Sequence, residues 1–419
     1  MKKKWCLRSL CLLFLVILWA GTADSPAFAQ VVGEPLPPWT EGFLDIHQIN
    51  TGRGNSALFI LPDATTMLVD AGDLGARTIR HVAPRPDDSR TPGEWIARYI
   101  KRVHPARDSA VIDYALLTHF HEDHMGNARE TSKLSGSGKY RLSGITEVAE
   151  FVRIQKILDR GWPDYSFPRP LNSKNMENYR EFLKWQAESN GLIIQRFQPG
   201  RADQITLLKN PEDYPGFEIR NVVANGQVWT GTGTNIRDHF LPLEQVPSED
   251  YPSENPCSIG FRLSYGQFDY FSGGDITGFP APGGPSWHDI ETPVAQAVGP
   301  VEAAVLNHHG YIDSQNAFYV SILRPLAWIL PVWDSAHPTS AVYARLRSTR
   351  LYPGPRDIFT TGMHEANRVV INGLNDLASS QGHILIRVTP GGNEFQVIIL
   401  SDSDESMKVV SVHGPYKTR

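Results

Sequence analysis

Short apolar runs that stop abruptly at glycine, aspartate or histidine recur along this chain. Ala57-Leu58-Phe59-Ile60 follows a glycine turn, Gly52-Arg53-Gly54-Asn55-Ser56, and Thr66-Met67-Leu68-Val69 runs into Asp70-Ala71-Gly72-Asp73. Ala115-Leu116-Leu117-Thr118 gives way to His119-Phe120-His121-Glu122-Asp123-His124. Tyr270-Phe271-Ser272 ends in Gly273-Gly274-Asp275, and Ala303-Ala304-Val305-Leu306-Asn307 ends in His308-His309-Gly310. Trp328-Ile329-Leu330-Pro331-Val332 precedes Ala336-His337-Pro338, and Gly382-His383 opens a late run through Val388. Runs this short, bounded by turn residues, predict buried strands.

A helical period appears between these strands. From Gly93 to His104 the residues Trp95, Ile96, Tyr99, Ile100 and Val103 share one face, with Pro92 before and Pro105 after. Two more helical patterns run from Val148 to Leu158 and from Met176 to Ser189, the second closed by Asn190-Gly191. Between them lies Trp162-Pro163-Asp164-Tyr165-Ser166-Phe167-Pro168, which either walls a pocket or packs on the domain. No internal repeat and no low-complexity linker divides the chain.

The chemistry concentrates at residues 119–124, where three histidines and an aspartate fall within six positions. His119 and His121 are two apart, so in extended backbone both point to the same side. Asp123 and His124 follow a turn and face a second point nearby. Imidazole and carboxylate donors together suit zinc, with manganese or iron as further options. Ligand-type residues this dense after an apolar strand mark a metal site rather than a polar surface turn.

The pattern His-x-His-x-Asp-His resembles the signature of the metallo-β-lactamase superfamily. That resemblance implies an α/β fold, a four-layer αββα sandwich, here with a helical, aromatic-rich insert at about 128–215. It also implies two divalent metal ions held by loops at strand ends. In that scheme His119 and His121 hold one ion, Asp123, His124 and His309 hold the other, and Asp275 bridges them. Asp70 would bind no metal but would orient a ligand histidine. His308 would contact substrate or protonate the leaving group, with Asp123 among the catalytic residues. Gly-Arg-Gly-Asn-Ser and His-His-Gly are further similar to the domain found in ComEC-type competence proteins and their stand-alone relatives. Two departures stand out: Tyr311 replaces the serine usual after His-His-Gly, and the only histidine between His124 and Asp275 is His239, read as a loop residue.

Composition narrows the setting. Met1-Lys2-Lys3-Lys4, an apolar stretch from Leu10 to Trp19 and Ala27-Phe28-Ala29 describe a signal peptide over residues 1–29. The apolar stretch is short for a membrane span, and an uncleaved anchor is the alternative. Cleavage near Ala29 would remove four basic residues and Asp24, taking the net charge from −5 to −8. It would also remove Cys6 and Cys11, leaving Cys257 without a disulfide partner. The remaining chain divides into an extended lead (30–41), one domain (42–400) and a tail (401–419).

These features predict an exported, periplasmic or extracellular hydrolase that uses a metal-bound hydroxide on phosphodiester bonds. Its substrates would be nucleic acid or phosphate-linked envelope or lipid groups, although the acidic balance gives no general attraction for nucleic acid. A β-lactam or lactone hydrolase is the alternative reading, and a non-catalytic binding scaffold a third. Oligomeric state has no signature in the sequence.

Overall fold

The computed structural model describes residues 30–280 and 283–419, so the signal-peptide segment lies outside the described residues. The chain first lays down β1 (Leu44–Gln48), β2 (Ala57–Ile60), β3 (Thr66–Val69), β4 (Val111–Leu116), β5 (Arg153–Asp159) and β6 (Ile193–Arg196). It then builds β7 (Phe217–Ala224), β8 (Gln227–Trp229), β9 (Ile236–Asp238), β10 (Gly260–Tyr265), β11 (Phe268–Ser272), β12 (Ala303–Val305), β13 (Ala327–Leu330) and β14 (Asp357–Thr360). It ends with β15 (His383–Val388), β16 (Glu394–Leu400) and β17 (Val409–Lys417). Two sheets result: nine strands ordered β17-β16-β15-β1-β2-β3-β4-β5-β6, and eight ordered β14-β13-β12-β11-β10-β7-β8-β9.

Helices cover the outer face of each sheet. On the first lie α1 (Pro92–Val103), α3 (Ile145–Phe151) and α4 (Lys174–Asn190); the four-residue α2 (Glu122–Met125) sits at its edge. On the second lie α5 (Glu291–Val298), α6 (Ala317–Leu323) and α7 (Ser340–Arg347), while α8 (Glu365–Val370) is largely exposed.

Alternation within strands explains the layering. Phe59 points between the sheets, where it joins Ile46, Met67 and Leu116 against Phe261, Leu263, Tyr270 and Ile329. Its neighbours Leu58 and Ile60 point outward to Ile96 and Ile100 of α1 and Phe182 of α4. Likewise Ala304 and Trp328 face Val294, Val320 and Val342 on the outer side of the second sheet. Strands apolar on both faces read as continuous apolar runs, and each large side chain so buried contributes about 1.5–3 kcal/mol. The architecture is a four-layer αββα sandwich.

Two segments depart from the sequence reading. The helical pattern from Val148 to Leu158 is a helix only to Phe151; β5 then pairs in parallel with β4. Val148, Val152, Ile154, Ile157 and Leu158 are spaced ambiguously, and the β-branched residues take the extended form once β4 offers an edge. Residues 401–419, set down as a tail, supply β17, which pairs with β16. The lead joins the same edge, Gly33 N–H donating to Val409 O at 2.8 Å. Among the described residues no helix is long and apolar enough to cross a membrane.

Candidate metal centre

The candidate residues leave the sandwich at one edge. β3 and β4 are parallel, with Val69 opposite Leu116, so Asp70 and Thr118 emerge side by side. β11 and β12 are also parallel, which brings the turn of Asp275 beside the loop of His308 and His309. Loops at the carboxyl ends of parallel strands are the usual ligand site of α/β sheets. Across the gap between sheets, Ile259 N–H donates to Thr118 O at 2.9 Å.

Backbone contacts hold the histidine turn. Asn55 N–H donates to Asp123 O at 2.7 Å, Ala71 N–H to His124 O at 2.8 Å, and Asp73 N–H to Glu122 O at 3.0 Å. A Cβ on Gly72 would lie 2.0 Å from Asp123 O, and one on Gly54 2.3 Å away. The two glycines of the upstream turns are therefore needed for this close approach.

Six of the sequence-predicted residues gather into two donor sets that share Asp275. Asp123, His124, Asp275 and His309 form one set; His119, His121 and Asp275 form the other, with each set's donor atoms within 4.8 Å of one another. All but His121 are buried, so the second set opens to solvent at that ring.

Tautomers show what the first set requires. His309 Nδ1 lies 3.0 Å from Pro331 O, which can only accept, so the proton sits on Nδ1 and Nε2 presents a lone pair. His124 Nδ1 lies 2.7 Å from Asp70 Oδ2, which fixes the same tautomer. The two Nε2 atoms then face each other at 3.1 Å, with Asp123 Oδ2 3.1 Å from His309 Nε2 and Asp275 Oδ1 3.2 Å from His124 Nε2. Electron-pair donors converging on one point are satisfied by a metal ion or by a proton placed between them. In the second set His119 Nε2 lies 3.2 Å from His121 Nδ1 and 3.6 Å from Asp275 Oδ2. The donor types and their convergence fit divalent metal ions.

The charges of the cluster act strongly on one another. Burial disfavours a charged His124, yet Asp275, Asp123 and Asp70 together hold its imidazole well above the ordinary range. Burial likewise opposes ionisation of Asp275, but His124, His309 and His119 hold its carboxyl well below the usual range. His119 is pushed well below by burial and by the neighbouring His124.

Asp70 and His308 stand outside both donor sets. Asp70 accepts from Thr118 N–H and Thr118 Oγ1–H at 2.8 Å and from Asn55 Nδ2 at 3.0 Å, besides its contact with His124. His308 Nδ1 is 2.7 Å from Asp313 Oδ1, and its Nε2 is 3.1 Å from Asn255 Nδ2 and 3.9 Å from Asp275 Oδ2. His239 follows the exposed β9 and joins neither set.

Several neighbours escaped the sequence reading of the site. Thr118 Oγ1 lies between Asp70 and the rings of His119 and His124, a role that no motif announces. His337 stacks on His309 with ring centroids 4.9 Å apart. Glu254 accepts from Phe120 N–H at 2.9 Å and pairs with the buried Arg160, whose guanidinium lies 4.9 Å from the Phe120 ring. Tyr165 of the aromatic segment is buried against Phe120, so this part of the insert packs behind the histidine cluster. A cleft of about 680 Å³ lined by Arg53, Asp73, Asn127, Arg129 and Glu147 contains none of the candidate ligands.

No family model and no curated protein matches the sequence. Among solved structures, a mutant of CmlA beta-hydroxylase is similar at 13% identity and a TM-score of 0.36, over 84% of this chain and 55% of that one. This chain thus spans about half the length of that protein. Zn(2+)-bound PqqB from Methylobacterium extorquens is similar at 10% identity and a TM-score of 0.32, over 79% of this chain and 86% of that one. The sandwich and its converging donors define an αββα protein with a cluster of residues fit to hold metal.

Proposed function

We propose that this chain is an exported two-metal hydrolase of phosphodiester bonds, belonging to the metallo-β-lactamase superfamily and to its ComEC-like branch. The observation that supports it best is the pair of donor sets sharing Asp275, each built of imidazole nitrogens and carboxylate oxygens. Divalent ions bound there, most suitably zinc, would lower the pKa of a bound water and take up charge on a phosphoryl oxygen.

The chain's own residues do the rest. Asp70 fixes the His124 tautomer through Nδ1, so that Nε2 faces the centre. His308 is held from one side by Asp313 and from the other by Asn255, with its Nε2 directed toward Asp275. In its charged form, stabilised by Asp313, the ring would give its Nε2 proton to a leaving oxygen, with the Asn255 amide turned to face that nitrogen with Oδ1. Tyr311, partly exposed and 5.0 Å from the His308 ring, borders the approach. Export is supported by the residue pattern of 1–29.

Hydrolysis of bis-p-nitrophenyl phosphate and of a chromogenic cephalosporin by the chain from Gln30 onward, with zinc or manganese, tests this reading. Metal-dependent diester cleavage that disappears in Asp275→Ala is expected. Cleavage of the cephalosporin alone would move the protein to the lactam and lactone hydrolases. Two bound metals with neither activity would favour a binding scaffold.

A further inference from the structure

His308, His309 and Gly310 all carry positive φ, at 45°, 51° and 73°. Consecutive left-handed residues with side chains are unfavourable and persist only where surroundings over-determine them. The question is what holds this loop, since it delivers one donor to the centre and one side chain beside it.

Glu291, fully buried at the start of α5, answers it. Its Oε1 accepts from Asn307 Nδ2 at 2.7 Å and from Gln315 N–H at 2.6 Å; its Oε2 accepts from Asn316 N–H at 2.6 Å. These contacts clamp both ends of the loop, Asn307 before the histidines and Gln315-Asn316 after them. The backbone of the same residue reaches the other donor-bearing turn: Ile290 and Glu291 N–H donate to Thr277 O at 2.8 and 3.1 Å, two residues beyond Asp275. Glycines make room for the clamp. A Cβ on Gly278 would lie 2.0 Å from Glu291 Oε2, and one on Gly273 2.5 Å from Asn307 Oδ1. His308 N–H adds a direct tie to Gly274 O at 3.2 Å.

We propose that Glu291 is a positioning residue that locks the His308–His309 loop to the Asp275 turn through Asn307, and so sets the donor geometry of the Asp123–His124–Asp275–His309 set. The proposal rests on the reading of that set as a metal site. Three N–H donors converge on its two oxygens. A glutamine has one acceptor oxygen and would turn its own NH₂ against a backbone N–H.

Zinc titration by chelator competition on the metal-free chain tests it, with Glu291→Gln, Asn307→Ala and, as control, Asn316→Ala. The control removes the side-chain cap of α6, where Asn316 Oδ1 accepts from Tyr319 N–H, and the Nδ2 bonds to Asp289 and Thr292, but keeps the backbone bond to Glu291. Wild type is expected to bind two equivalents. Glu291→Gln and Asn307→Ala should keep one equivalent and bind the other about 10–100-fold more weakly, while Asn316→Ala binds both. Unchanged binding in Asn307→Ala would overturn the proposal even where Glu291→Gln fails to fold. Equal weakening in Asn316→Ala would overturn it too, by reducing the effect to general stability. A wild-type chain that binds fewer than two equivalents would instead remove the two-metal reading, and the proposal with it.

Discussion

Asp70 Oδ2 lies 2.7 Å from His124 Nδ1, yet Asp70 gives no oxygen to either donor set. Its effect on a bound ion would run wholly through the imidazole it orients. Asp70→Asn keeps the shape but can donate to Nδ1, which turns the His124 lone pair away from the centre. Metal affinity should fall about 10–100-fold with the fold retained. Equal zinc affinity in the variant and the wild type would show that Asp70 serves only its turn.

His308 allows a sharper kinetic test. A proton donor matters for a poor leaving group and little for p-nitrophenolate. His308→Ala should therefore slow cleavage of an alkyl phosphodiester by about 10²–10⁴-fold while changing bis-p-nitrophenyl phosphate turnover far less. Equal losses on both substrates would make His308 a binding residue.

The buried ion pair between Asp45 and Arg387 should be costly to break. Arg387 Nη2 and Nε lie 2.6 and 2.9 Å from the carboxylate oxygens, and both side chains are almost wholly enclosed. Arg387→Met leaves Asp45 charged and without this partner, an expected loss of about 3–5 kcal/mol in urea unfolding. Asp45→Leu combined with Arg387→Met should recover much of it. A single variant as stable as wild type would show that water reaches Asp45.

Acid sensitivity should come partly from His47 and His383. Burial lowers His47 from 6.5 to about 4 and His383 to about 3. Between pH 6.5 and about 4 the unfolded chain takes protons on these rings while the folded chain does not, so stability falls as pH drops through that window. The slope is at most about 1.4 kcal/mol per pH unit for each ring. His383→Asn, which can still accept from Asn50 N–H, should flatten the dependence of the melting temperature on pH. An unchanged slope would assign it to other groups.

The centre was unusually legible in the sequence because its donors sit where apolar strands end. Val69, Leu116, Ser272 and Val305 close four strands, and the turns after them carry Asp70, residues 119–124, Asp275 and His309. Helix α1 was equally plain, bracketed by Pro92 and Pro105. What stayed hidden depends on distant partners. β5 looks helical until β4 lies beside it, and β17 alternates too weakly to show a strand until β16 pairs with it. Thr118, Glu254 and Glu291 carry no motif, since each matters through residues far along the chain. His337 stood in a recognisable tripeptide, but only packing reveals its ring on His309.

The two sheets contribute unequal shares to one centre: Asp123, His119, His121 and His124 hang from the first, Asp275 and His309 from the second. A nascent or partly folded chain thus carries four donors without the carboxylate that joins the two sets. Neither set is whole until both halves have docked. Tight capture of ions at this centre would therefore come late in folding and time it, which stopped-flow mixing with a fluorescent zinc chelator would read as a lag behind secondary structure.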